Sequence, residues 1–187
     1  MVSIVCRDRR VCRMVGDAGH ALRIDSRVTP WSDTLRLNPL ANGSTMKKQV
    51  IKAGVPETSG PFNLCVRYGD MIFISGLPPF DEDYASKLRE ARAKGHPIPP
   101  FPDIPFERQV RIVMDHMKML VEGAGSTMDC LLKVIVWLKD QRQQEEFDKI
   151  YRSYFTSTET LPARTRMQAG RTPMDCGLEV EAIGYVP

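Results

Sequence analysis

One segment in the middle of the chain constrains the fold most, because an amphipathic stretch is followed closely by a run rich in apolar residues. Over Gln109–Gly125, apolar residues recur at steps of three and four, which predicts a helix with one apolar face. Gly123 and Gly125 mark its end. Leu131–Leu138 is rich in valine, isoleucine and leucine and predicts a buried strand. The apolar face of the helix, with its methionines as core filler, consists of Val110, Val113, Met114, Met117, Leu120, Val121 and Ala124.

Shorter apolar runs on either side predict further strands and a second helix. Gly69-Asp70 lies between two such runs and predicts a β-hairpin. The predicted strands are Phe62–Tyr68, Met71–Ser75, Thr165–Ala169 and Leu178–Val186, the last two joined by a turn around Pro173. A second helix is predicted over Gln143–Phe155. The side chains expected to face the core are those of Phe147, Ile150, Tyr151, Tyr154 and Phe155. Strands with two helices on one face indicate an α+β two-layer sandwich.

Residues 1–45 differ in composition from the rest of the chain. They contain seven arginines and no lysine, and four aspartates and no glutamate. From Met46 onward there are 19 basic and 19 acidic residues, so the formal net charge of +3 comes from the first 45 residues. An Arg-rich transit peptide and a translation start at Met46 are two open interpretations, although the aspartates disfavour the first. We expect residues 1–45 to be a poorly ordered extension and residues 46–187 to be the folded domain.

The composition argues against several classes of site. No apolar run approaches the length of a membrane-spanning helix. The five cysteines are scattered without CxxC spacing and the three histidines are isolated, so we predict no metal site and no disulfide framework. This use of cysteine suggests a reducing compartment, and we expect a cytoplasmic protein without a membrane partner.

A long connection interrupts the compact pattern of the body. Leu77–Arg108 contains prolines at positions 78, 79, 97, 99, 100, 102 and 105, and Asp83–Lys94 within it is predicted to be helical. Connections of this length usually act as lids or binding loops, or are disordered. A charged, solvated excursion is the alternative interpretation.

Two charged residues in the closing strands indicate a functional site. Arg164 opens one predicted strand, and Glu179 lies in another that is otherwise apolar. Charged groups in half-buried strands cost free energy unless something pairs with them. The simplest physical interpretation is a site that holds an anion with Arg164 and uses Glu179 on a group nearby.

Several short motifs between Gly60 and Val186 are informative as an ordered set. They are Gly60-Pro61-Phe62, Gly69-Asp70-Met71-Ile72-Phe73-Ile74-Ser75-Gly76, Val121-Glu122-Gly123-Ala124-Gly125, Lys133-Val134-Ile135-Val136, Pro162-Ala163-Arg164 and Glu179-Val180-Glu181-Ala182-Ile183. Through these motifs the chain resembles, from about Gly60 to Val186, the RidA/YjgF family of enamine/imine deaminases. The motifs occur in the family's order, with spacing close to the family's except at the Leu77–Arg108 connection.

The resemblance implies a chorismate-mutase-like α+β fold, a homotrimer and active sites in clefts between subunits. It also implies hydrolysis of reactive 2-imino or enamine acids to 2-oxo acids and ammonia, with no cofactor and no metal. Such imines arise when pyridoxal-phosphate enzymes act on serine, threonine and related amino acids. The expected partner is therefore a small-molecule imine or enamine acid.

The resemblance also assigns roles to the two charged residues. Arg164 matches the family's substrate-binding arginine, whose planar guanidinium can hold a carboxylate through two parallel hydrogen bonds. Glu179 matches the glutamate proposed to direct the attacking water and to return a proton as ammonia leaves. Residues 179 and 181 share a strand face, so alternation alone cannot choose between them. The motif favours Glu179 and leaves Glu181 as a salt-bridge or subunit-contact residue.

Other matched positions suggest substrate contacts. Gly76, after Ser75, would let backbone groups approach a ligand closely. Phe62 stands where a tyrosine is common in the family, Asp148 where an asparagine is frequent, and Arg166 where a cysteine faces the pocket of typical bacterial deaminases.

Arg166 has two open roles. Arg164 and Arg166 are two residues apart on a strand, so they share a face and would repel each other without a compensating anion. Arg166 would either recognise a second acidic or polar group of a bulkier or dicarboxylic substrate, or pair with Asp148, Glu179 or Glu181.

Two other functions compete with imine hydrolysis. Some members of the family have been described as translation inhibitors or ribonucleases, but the formally neutral body lacks a basic stripe and a stacking-aromatic motif. We therefore expect no nucleic-acid partner. A non-catalytic, metabolite-binding trimer is the second alternative, which Phe62 and Arg166 leave open.

Overall fold

The structure is a computed structural model that describes residues 3–8, 11–15 and 47–187. The chain divides into two compact units, Met1–Ser44 and Thr45–Pro187. In the first unit, strands β1 (Ser3–Asp8) and β2 (Val11–Val15) pair antiparallel. These two strands were not predicted. Most of the predicted extension, residues 1–45, lies outside the described residues, and its expected lack of order stays a prediction.

A six-stranded mixed sheet organises the second unit. The strands lie in the order β3-β4-β5-β8-β6-β7, and every neighbouring pair is antiparallel except β6 and β7, which are parallel. β7 is therefore an edge strand, and β6 separates it from β8. The strands are β3 (Gln49–Val50), β4 (Cys65–Tyr68), β5 (Met71–Leu77), β6 (Leu131–Leu138), β7 (Ala163–Gln168) and β8 (Leu178–Tyr185).

The predicted hairpin is confirmed, with Tyr68 paired to Met71 across the Gly69-Asp70 turn. Gly69 adopts a φ of 60°, the left-handed region that a glycine reaches without strain. The sequence predicted that the first strand of this hairpin begins at Phe62. β4 begins only at Cys65, so Phe62 lies in the loop before the strand. β5 runs two residues beyond the predicted end, through an irregularity in its pairing with β8 between Ile74 and Leu77.

Three helices accompany this sheet: α1 (Glu82–Lys94), α2 (Phe106–Gly123) and α3 (Gln144–Arg152). α2 and α3 pack on one face of the sheet, so the predicted two-layer α+β arrangement is confirmed. The apolar face predicted for α2 is buried, and Phe147, Ile150 and Tyr151 of α3 join the same core. The opposite face of the sheet carries no helix among the described residues.

The long connection contains the predicted helix, as α1, and packs part of its length into an apolar cluster. The choice between a lid or binding loop and a charged, solvated excursion stays open. Asp81 caps the N-terminus of α1 by accepting a hydrogen bond from the Tyr84 backbone N–H. Tyr84 and Leu88 are buried in a second apolar cluster with Phe80 and Cys176. The Tyr84 hydroxyl donates to the Pro99 carbonyl at 2.8 Å, which ties the proline-rich stretch to the helix.

A methionine pair on α2 gives a direct test of the core. Met117 is fully buried, whereas Met119 is 38% exposed on the same helix. We expect Met117→Ala to lower the free energy of unfolding by about 2–5 kcal/mol, because it leaves a cavity in the core. The control Met119→Ala should change it by less than about 0.5 kcal/mol. Urea denaturation at one fixed protein concentration measures both, and equal losses would contradict this assignment of the core.

Candidate functional site

Arg164 and Arg166 on β7 converge on one carboxylate, that of Asp148 on α3. The Arg164 Nη2 atom lies 2.7 Å from Asp148 Oδ1, and Arg166 Nη1 donates to both Asp148 oxygens at 3.0 Å. Arg166 Nη2 also donates to Gln144 Oε1 at 2.6 Å. All three charged side chains are at least two-thirds buried. Of the roles predicted for Arg166, the structure therefore places it in an ion pair with Asp148.

An aromatic platform supports Arg164. Its guanidinium carbon lies 4.7 Å from the ring centroid of Tyr151 and 5.7 Å from that of Phe147. Those rings stack on each other at 5.4 Å and belong to the buried core. A cation over an aromatic face is attracted to it, so the platform fixes the height of the guanidinium above α3. Burial raises the pKa of the Tyr151 phenol well above its usual value, so that hydroxyl stays protonated.

A backbone bulge builds a second group of predicted residues around Glu179. Ile74 pairs with Ala182 and Leu77 with Val180, so Ser75 and Gly76 together face a single residue of β8. The bulge brings Gly76 against the Glu179 side chain: a Cβ on Gly76 would lie 2.7 Å from Glu179 Cδ. The absence of a side chain at Gly76 makes room for Glu179. The predicted close approach of a ligand to the Gly76 backbone stays a prediction.

The two glutamates of β8 have different surroundings. Burial raises the pKa of Glu179, and the negative charge of Glu181 raises it further. Glu181 lines a groove of about 180 Å³ with Lys133, Phe73, Ile135 and Ile183. Burial and the charge of Glu181 both favour the protonated form of Glu179 more than in a solvent-exposed glutamate.

Phe62 belongs to the Glu179 side of the site through its loop. The Ser75 hydroxyl donates to the carbonyl of Asn63, the residue after Phe62, at 2.8 Å. The Phe62 ring folds over Gly60 and remains 54% exposed. An exposed aromatic ring beside a bulge is available as a wall for a ligand.

The predicted site residues therefore form two groups on opposite faces of the sheet. Arg164 and Arg166 are register partners of Val134 and Val136, which face the helices. Glu179 is the partner of Trp137, which faces the open side. We name the group of Asp148, Arg164 and Arg166 the cation half-site and the group of Phe62, Ser75, Gly76 and Glu179 the acid half-site.

This separation corrects the simplest interpretation of the sequence. β8 and β7 flank β6, so their backbones lie about 10 Å apart, and the side chains of the two half-sites point in opposite directions. One carboxylate held by Arg164 is thus out of reach of Glu179 in the same chain. A site that uses both residues must combine half-sites from two copies.

Several contributors were missed from the sequence. Gln144 was not predicted to hold Arg166, and Phe147 and Tyr151 were predicted only as core residues. Helix spacing was the available signal, since positions 144, 147, 148 and 151 are three and four residues apart and share one face. Trp137 beside Glu179 had no comparable signal, because the residues on both sides of it, Val134–Leu138, are all apolar.

Other features of the described residues offer weaker sites. A cavity of about 720 Å³ lies between the proline-rich stretch and Lys139, Gln143 and Arg171, and no predicted site residue lines it. Burial raises the pKa of Cys65 to about 11 and that of Cys176 to about 12, which leaves both thiols poor nucleophiles. Within residues 47–187, no group of three or more His, Cys, Asp or Glu side chains is placed to hold a metal ion.

A search for membrane-spanning segments among the described residues found no helix that is both long and apolar enough to cross a bilayer.

Comparison with known proteins places this chain in a family. The family model described as endoribonuclease L-PSP matches residues 53–186. A RutC family protein of Pyrococcus horikoshii is 31% identical over 140 residues, which are 75% of this chain and 98% of that protein. A 2-iminobutanoate/2-iminopropanoate deaminase of Salmonella typhimurium is 27% identical over 139 residues, 74% of this chain and 97% of the enzyme.

Solved structures agree with the sequence comparison. The YjgF gene product of Escherichia coli superposes with a TM-score of 0.60 at 27% identity, covering 75% of this chain and all of that one. Escherichia coli TdcF with bound serine gives a TM-score of 0.59 at 26% identity, with coverage of 73% and 98%. The matches confirm the chorismate-mutase-like α+β fold, and the chain belongs to the endoribonuclease L-PSP family, also called the RidA/YjgF family.

Proposed function

We propose that the protein hydrolyses reactive 2-imino acids, and the enamines in equilibrium with them, to 2-oxo acids and ammonia. The observation that carries the proposal is the pair of half-sites: a partly neutralised guanidinium on an aromatic platform, and a half-buried carboxyl with a raised pKa against a glycine bulge. An imino acid needs both, because its carboxylate must be held while water adds to C2. Relatives named as imine deaminases support the same chemistry.

In the proposed reaction, Arg164 binds the substrate carboxylate and fixes the position of C2. The imine reacts as its iminium form. The Glu179 carboxylate accepts a proton from water as the water oxygen bonds to C2 and the C–N π electrons move to nitrogen, which gives a tetrahedral amino alcohol. That proton passes from Glu179 to the amino nitrogen, the C–N bond breaks and ammonia leaves as the C2 carbonyl forms. Glu179 takes the proton of the C2 hydroxyl and releases it to the ammonia, so it ends the cycle ionised and water is the only other reactant consumed.

We propose further that each site forms between two copies in a homotrimer, with the cation half-site of one facing the acid half-site of the next. The opposite-face placement of the half-sites supports this arrangement. The open face also exposes apolar side chains, among them Phe73 (42%), Ile183 (37%) and Tyr185 (38%), whose burial between copies would be favourable. The pairing of half-sites would then couple assembly to activity.

Mixed oligomers test the shared site. Arg164→Ala and Glu179→Gln should each inactivate the protein. Oligomers assembled from equal amounts of both should regain about one quarter of the wild-type sites, because random pairing joins an intact Arg164 to an intact Glu179 in that fraction of interfaces. Ammonia release from the whole co-expressed mixture measures the recovery. Mixed trimers isolated through a different tag on each variant should recover about one third, because each of them has one intact site of three. Arg164→Ala mixed with the double variant is the control and should stay inactive, and no recovery in the first mixture would contradict a shared site.

The raised pKa of Glu179 predicts a distinctive pH profile. Ionised Glu179 is the base, so kcat/KM should fall as the pH drops, with a midpoint above the ordinary glutamate value of 4.5. Glu179→Gln should lower kcat by about 10²–10⁴-fold and abolish this limb. The matched variant Glu181→Gln should stay active and move the limb to lower pH, because it removes a charge that raises the Glu179 pKa. Loss of activity in Glu181→Gln instead would reverse the assignment of the two glutamates.

Gly76 offers a test of how closely Glu179 must be placed. In Gly76→Ala the new methyl would overlap the Glu179 carboxyl and displace it, because the alanine Cβ would lie only 2.7 Å from Glu179 Cδ. We expect kcat to fall about tenfold or more, with thermal stability nearly unchanged because the displaced group is the end of a flexible side chain. Gly170→Ala is the control, since nothing lies within 4 Å of its added methyl. Equal kcat values in both variants would exclude a positioning role for Gly76.

The proposed reaction can be tested with imines that a second enzyme generates in the assay mixture. A serine or threonine dehydratase generates 2-aminoacrylate or its four-carbon analogue, and release of the 2-oxo acid is followed with and without this protein. Acceleration that Arg164→Ala abolishes supports the proposal. An unchanged rate, together with ligand binding that Arg164→Ala removes, would indicate a non-catalytic binding protein instead.

A further inference from the structure

The charges of the cation half-site do not cancel. Two guanidinium groups, of Arg164 and Arg166, share the single carboxylate of Asp148, and the third polar partner, Gln144, is uncharged. The cluster therefore carries a net charge of +1 in a half-buried position, where charge imbalance costs more than it does in water.

The two arginines are engaged to different degrees. Arg166 donates hydrogen bonds from Nη1 to both oxygens of Asp148 and from Nη2 to Gln144. Its Nε atom is buried and has no hydrogen-bond partner among the described residues. Its side chain is only 19% exposed. Little of the Arg166 head group is thus open to a ligand.

Arg164 keeps binding capacity. One of its terminal nitrogens contacts Asp148, and within residues 47–187 its guanidinium makes no other ion pair or hydrogen bond. Its flat face is occupied by the ring of Tyr151. The edges that remain are those through which a guanidinium holds a carboxylate.

We infer that Asp148 determines substrate specificity: its single carboxylate, shared by Arg164 and Arg166, leaves one net positive charge, so that the site takes 2-imino acids with a single carboxylate and an uncharged side chain. One substrate carboxylate brings the cluster to neutrality. A second carboxylate would have to displace Asp148 from Arg166 or lie beside it unpaired, and both are unfavourable. A facing Glu179 from another copy adds negative charge and favours the same choice.

This inference deepens the proposed function and rests on it in one respect, the binding of the substrate carboxylate by Arg164. Its test uses stable product analogues and does not require turnover. The probes are 2-oxopentanoate and 2-oxoglutarate, which have five carbons each and differ in a terminal methyl or carboxylate. Calorimetry at fixed salt gives the dissociation constant of each acid.

Wild-type protein should bind 2-oxopentanoate about tenfold more tightly than 2-oxoglutarate. Asp148→Asn leaves the charge of Arg166 without a counter-charge. In this variant, binding of 2-oxoglutarate relative to 2-oxopentanoate should become about tenfold stronger than in the wild type. The double variant Asp148→Asn/Arg166→Gln restores a single positive charge and should restore the wild-type preference. Asp148→Ser, a smaller charge-removing change, keeps the test decisive if the asparagine variant does not fold.

Asp140→Asn is the matched control. Asp140 also pairs with an arginine, Arg142 at 2.7 Å, but outside the half-site, so its removal should leave the ratio unchanged. A ratio that stays at the wild-type value in both Asp148 variants overturns the inference even if imine hydrolysis is found. Binding of neither acid by the wild type overturns it as well. A ratio that shifts as expected supports it even if no imine is hydrolysed, in which case only the proposed reaction fails.

Discussion

The alternation of side chains across one sheet sets the functional possibilities of this molecule. Val134 and Val136 bury one face of β6 under α2 and α3, and the register of β7 places Arg164 and Arg166 on that face. The same alternation on β8 places Glu179 on the other face. No change of rotamer can bring groups on opposite faces together, so the separation of cation and acid is fixed by the backbone. Any chemistry that needs both is a property of an assembly.

A different interaction positions the charged group of each half-site. On the helix side, the charge of Arg164 lies over the stacked rings of Phe147 and Tyr151, which also belong to the core. On the open side, the bulge at Ser75 and Gly76 leaves a place where the Glu179 side chain lies against backbone. Burial there raises the pKa of Glu179, as is common for groups in functional sites. Each half-site is therefore preorganised within a single chain.

Most of the fold could be predicted from the sequence, because its signals are local. The apolar stripe of α2, the apolar-rich sequence of β6 and the Gly69-Asp70 turn each specify their element without reference to the rest. Predicted ends were less accurate. α2 begins at Phe106, directly after Pro105, where the prediction began at Gln109; α3 ends at Arg152, and Ser153 to Phe155 continue only as turns. The short strands β1 and β2 were missed because arginines interrupt their apolar pattern.

The site could be predicted only in part, because its geometry depends on long-range pairing. The spacing of Arg164 and Arg166 does predict a shared face, and the structure agrees. Their distance from Glu179 depends on the strand order β8-β6-β7, which no local pattern encodes, and β7 lacks the apolar alternation that would have assigned its faces. The same holds for the ion pairs of Asp148, which lies 16 residues before Arg164 in a separate element.

The long connection is part of the framework that holds the Phe62 loop in place. Its aromatic residues Phe80, Tyr84 and Phe101 pack edge to face or tilted, with centroids 4.9–5.8 Å apart, and so give the proline-rich stretch a core of its own. From α1, Arg89 donates to the Glu57 carbonyl at 2.8 Å and Arg92 donates to that of Thr58. These carbonyls belong to the loop that leads to Phe62, and the same loop is tied at its other end by Ser75. The exposed Phe62 ring is thus carried by a segment anchored on both sides, and one of those anchors exists only because the connection is long.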